Sequence, residues 1–72
     1  MKALPISVDP EVMSGAPVFR GTRVPIDALW NNLADGMSLD EFIDSFPTVR
    51  KEDAVKLIQF ANRSLLALAY GA

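Results

Sequence analysis

The 72-residue sequence contains no cysteine and no histidine. Without cysteine there is no disulfide framework and no thiolate chemistry. Without either residue, a Cys/His zinc site and a Cys/His nucleophile pair are excluded. No apolar run reaches the length a bilayer span requires. The N-terminus lacks the charged-then-apolar pattern of a secretory leader. These absences predict a cytoplasmic protein with no membrane partner. The formal net charge of −2 argues against indiscriminate nucleic-acid binding.

What is present is unevenly distributed. From Asp27 to Asp44 there are five acidic residues and no basic one, whereas from Arg50 to Arg63 there are four basic residues and two acidic ones. One half-surface is therefore expected to be positive. Half of the residues are hydrophobic, which excludes a disordered tail. The length allows one small domain over 1–72, with a core so limited that a partner subunit, most simply a homodimer, is expected.

Residues 1–24 read as a β-hairpin arm. Leu4–Val8 alternates as a short strand does, Asp9-Pro10 opens a turn, and Ser14–Pro17 is a second cluster of structure breakers. Val18–Arg20 is predicted as a second strand antiparallel to the first. Gly21 supplies a tight turn, and Thr22–Val24 a third extended piece. Residues 25–72 read as three helices. Pro25 suits a first helical position, and Ile26, Leu29, Trp30 and Leu33 form a helical stripe that Gly36 closes. Ser38 and Glu41 have the spacing of a capping box, with Met37 and Phe42 as its hydrophobic staple. Leu39, Phe42, Ile43 and Phe46 form the inner face of this second helix, which Pro47 ends. The third helix is predicted from about Lys51 to about Ala69, ~30 Å long. Its main stripe is Ala54, Leu57, Ile58, Ala61, Leu65 and Leu68, with Phe60, Leu66 and Tyr70 lying off it.

No catalytic constellation emerges, so an enzyme is not expected, and neither is a cofactor. Asp40, Glu41 and Asp44 share a helix, but a cap and a solvated face account for them better than a metal does. Trp30 and Phe42 lie on apolar stripes and are read as core. Three helices in this order are compatible with a helix-turn-helix domain. In that reading Arg20, Thr22, Arg23, Arg50, Lys51 and Lys56 are the candidate DNA contacts. The plainer alternative is that the charges among them are solubilising. Phe60, Arg63, Leu66 and Tyr70 are the candidate partner-binding residues, because the third helix outruns the core it packs on.

The phrase Gly15-Ala16-Pro17-Val18-Phe19-Arg20-Gly21-Thr22-Arg23-Val24-Pro25-Ile26 closely resembles the signature of the domain-of-unknown-function family 433. The likeness continues through Leu29, Leu33, Gly36–Ser38, Glu41-Phe42 and Phe46-Pro47 into Ala54–Ala61. It implies a homeodomain-like three-helix bundle preceded by a β-hairpin. It also implies an antitoxin that silences a PIN-like ribonuclease toxin and binds its own operator DNA as a dimer. The family's usual Ser or Thr cap is replaced here by Arg50, which forgoes ~1 kcal/mol of capping unless Thr48 starts the helix earlier. Two further readings remain beside the antitoxin: a DNA-binding regulator without a toxin, and a structural dimerisation module built on open hairpin edges.

Overall fold

The computed structural model describes residues 4–71, so the two ends of the expected 1–72 domain lie outside the described residues. Two short strands, β1 (Ile6–Ser7) and β2 (Val18–Phe19), precede three helices, α1 (Ile26–Ala34), α2 (Leu39–Ser45) and α3 (Lys51–Gly71). The fold is mainly helical with an N-terminal antiparallel hairpin, as the periodicities predict. Ile6 pairs with Phe19 and Ser7 with Val18.

The loop between the strands contains a single 3₁₀ turn, Met13–Gly15. Its three residues all have positive φ: 50° at Met13, 56° at Ser14 and 85° at Gly15. A left-handed turn costs a side-chain-bearing residue roughly 1–2 kcal/mol. Hydrogen bonds hold the loop in place, with the Val12 N–H donating to the Asp9 carbonyl, Gly15 to Val12 and Ala16 to Met13.

The segment after β2 turns back on itself. The Thr22 N–H donates to the Phe19 carbonyl at 3.0 Å. Gly21, at the third position of that turn, has φ +78°, where glycine alone is unstrained. The chain then returns along β2, with the Phe19 N–H bonding to the Val24 carbonyl and the Ile26 N–H to Pro17. The expected third extended piece is thus reduced to one bridge, between Val18 and Pro25. Thr22 and Arg23 cannot extend it because the turn occupies them. Pro25 is the N-cap of α1 rather than its first helical residue.

The core draws on every element from β2 onward. Phe19, Ile26, Leu29, Phe42, Val49, Ala54 and Leu57 form one buried cluster, with Trp30, Leu33, Leu39, Ile43 and Phe46 packed against it. The Phe19 and Phe42 rings lie 6.2 Å apart and those of Phe42 and Phe46 4.9 Å apart, both tilted. Phe19 is fully buried, so the hairpin shares the helices' core.

Helix boundaries follow local chemistry. At the end of α1, the Gly36 N–H donates to Leu33 and the Met37 N–H to Asn32, the paired bonds of a Schellman motif, with Gly36 at φ +95°. At the start of α2, the Glu41 N–H donates to Ser38 Oγ at 3.1 Å and the Ser38 N–H to Glu41 Oε1 at 2.8 Å. This completes the capping box. These bonds hold the Glu41 carboxyl below the usual carboxylate range. No helix among the described residues is long and apolar enough to cross a membrane.

Candidate macromolecular interface

Two parts of the surface carry side chains that the fold itself does not use. The first is the turn that follows β2. Val18 and Phe19 bury, Gly21 turns the chain, and Thr22 ties the turn together. Its Oγ1 donates to the Phe19 carbonyl at 2.8 Å and accepts from the Val24 N–H at 3.0 Å. The hydroxyl of one predicted DNA contact is therefore engaged within the chain. Arg20 and Arg23, on the two sides of the turn, are both exposed.

The second is α3. Its first two turns are anchored, with Ala54 and Leu57 buried and Ile58 against the core. Lys51 reaches α2, its Nζ 2.8 Å from Asp40 Oδ1. That hydrogen bond and the carboxylate's charge raise the lysine's pKa. Lys51 is thus placed as a clamp between two helix starts. Arg50 stands one residue before the helix. Its carbonyl accepts from the Asp53 and Ala54 N–H groups, and its guanidinium lies 4.0 Å from Glu52 Oε1. Thr48 belongs to the preceding turn, so the helix does not begin early to recover a side-chain cap.

Beyond Ile58 the helix leaves the core. Phe60 is 37% exposed, Leu65 66%, Leu66 44%, Leu68 70% and Tyr70 85%. Phe60, Arg63, Leu66 and Tyr70, the predicted partner contacts, are all at the surface. Leu65 and Leu68 lie on the stripe that packs inward earlier in the helix, yet they are more exposed than Phe60 and Leu66. The available signal was length: a helix of 21 residues is ~30 Å long, whereas the core reaches only its first two turns. Lys56, Arg63 and Tyr70 recur every seventh residue and share one side of α3, opposite the Ala61–Leu65–Leu68 stripe. The candidate basic residues accordingly fall into two separate groups, one at the turn after β2 and one at the start of and along α3.

Among the described residues no group of acidic side chains is arranged to hold a metal ion. Asp40, the nearest candidate, is committed to Lys51. The described surface offers shape, apolar area and scattered cations.

Comparison with known proteins bears on the folded part. The sequence matches the family described as "Protein of unknown function (DUF433)" over residues 6–61. The chain belongs to this family. That match runs from β1 to the point where α3 leaves the core. A relative in Sinorhizobium fredii (strain NBRC 101917 / NGR234), described as "Uncharacterized protein y4eO", is 32% identical over 47 residues. The aligned part is 65% of this chain and 21% of the relative. The chain thus spans about a fifth of that protein's length. No solved structure matches the chain.

Proposed function

We propose that this DUF433 chain is a recognition module, the antitoxin of a prokaryotic toxin–antitoxin pair. In this reading the overhanging end of α3 binds and silences a PIN-like ribonuclease. The observation that carries it is the uncovered apolar end, with Leu66 44% and Tyr70 85% exposed. A contiguous apolar surface of this kind on a small domain marks a contact site. Arg63, on the same side, supplies the single charge that orients an acidic partner surface. The toxin assignment draws on the family likeness, and the helix end supplies the contact.

The test is co-expression with the product of the neighbouring gene. The intact chain is expected to form a complex and relieve toxicity. The double substitution Leu66→Glu/Tyr70→Glu is expected to do neither while keeping the same melting temperature. Absence of a complex with the intact chain, or full neutralisation by the double variant, contradicts the reading.

A second activity, operator binding, rests on Arg20 and Arg23 at the turn after β2 and on Lys56 along α3. Phosphate contacts release counterions, so a gel shift with the chain's own upstream DNA is expected to weaken steeply as salt rises. Binding that ignores salt, or no binding, removes it.

A further inference from the structure

Four residues, Arg20, Gly21, Thr22 and Arg23, carry the chain from β2 back toward Pro25, and the fold accounts for only two of them. Gly21 supplies the positive φ, and Thr22 ties the reversal through its hydroxyl. The side chains of Arg20 and Arg23 do neither, and both residues are exposed. Arg50 and Lys51 have acidic neighbours in Glu52 and Asp40. Arg20 and Arg23 pair with no carboxylate among the described residues. Lys56 and Arg63 are unpaired there too, but seven residues of helix, ~10 Å, separate them.

The backbone adds donors at the same place. The Gly21 and Arg23 N–H groups donate to nothing among the described residues. A Cβ at Gly21 would meet no atom within 4 Å, so the surface over the turn is open. The two bonds of Thr22 and the fully buried Phe19 hold the turn in one shape, which lowers the ordering cost of binding.

We propose that this turn is a binding site for a dianionic phosphate, of the kind carried by a terminal phosphomonoester. This goes beyond the operator reading, which asks only that Arg20 and Arg23 lie near the backbone of a duplex.

Charge and oxygen number select the ligand. One guanidinium fork matches one edge of a carboxylate, so a carboxylate leaves the second arginine unused. A backbone phosphodiester carries a single negative charge, which balances one arginine and not two. A phosphomonoester carries about −1.5 to −2 near neutral pH and presents three acceptor oxygens. It has the charge for both arginines and oxygens left over for the free N–H groups. A site this open to water binds weakly, at about millimolar Kd.

Amide-shift titration of the intact chain by NMR reads the site directly. The probe is methyl phosphate at about pH 8, where it is dianionic. Saturable shifts are expected at Gly21 and Arg23, with dimethyl phosphate and acetate at equal ionic strength at least about fivefold weaker. Arg20→Gln and Arg23→Gln should each weaken methyl phosphate about fivefold. Together they should abolish saturation at an unchanged melting temperature. Lys56→Gln/Arg63→Gln should bind as the unmodified chain does. Absence of saturable shifts at the turn overturns the proposal. So does equal binding of dimethyl phosphate or acetate, or binding that survives Arg20→Gln/Arg23→Gln. No arm of the titration contains duplex DNA, so a failed gel shift and a failed titration are separate results.

Discussion

Thr22 shows how much one side chain contributes at the turn after β2. Its hydroxyl donates to the Phe19 carbonyl and accepts from the Val24 N–H, so it holds both sides of the reversal that seats Phe19 in the core. Thr22→Val keeps the shape and removes both bonds. It is expected to lower stability by about 1–2 kcal/mol in urea unfolding, with Thr22→Ser recovering most of the loss. The glycine of this turn is readable from sequence, because a lone Gly between strand-like pieces has one common use. The threonine's role is not, because its partners are defined only once the chain has closed on itself. Val49 was equally hidden. It is 2% exposed but sits alone after Pro47-Thr48, with no periodicity to mark it as core. Ser14 and Met13 belong here too, since nothing in their types announces a left-handed backbone.

At the scale of the element, α2 and α3 start in opposite ways. The capping box of α2 was legible because both partners lie within four residues and bond only to each other. Its contribution depends on pH. Glu41 is held below the usual carboxylate range by bonds to Ser38. Its stabilising effect is therefore complete above the unfolded value and is lost as pH falls through the folded one. Between about pH 6 and about pH 3, the intact chain is expected to lose more melting temperature than Glu41→Gln, whose neutral amide cannot titrate. Lys51 behaves in the reverse sense. Raised by Asp40, its contribution holds below its ordinary range and fades as strongly alkaline pH strips the proton. α3 itself is preceded by Arg50, whose side chain cannot accept from the helix's free N–H groups. Arg50→Ser is expected to raise stability by about 0.5–1 kcal/mol in the same urea assay. The exposed contact with Glu52, at 4.0 Å, gives up little in exchange.

For the whole molecule, the element order and the hairpin followed from period and breaker residues. The packing of the hairpin did not, because a two-residue strand carries no sign of which face meets the helices. The overhang of α3 was legible as a mismatch of lengths, which pointed to Phe60, Leu66 and Tyr70 off the stripe but not to the exposure of Leu65 and Leu68 on it. Native-state hydrogen exchange on dilute chain should display the division. Amides of Ala54 to Ile58 are expected to be protected to near the global stability, and those beyond Arg63 to exchange orders of magnitude faster. Equal protection along α3 would mean that the end is covered even at low concentration. A rod that supports nothing behind it is free to change. Substitutions in the last three turns of α3 leave the packed residues untouched, so the surface there can drift from one relative to the next without endangering the part that folds.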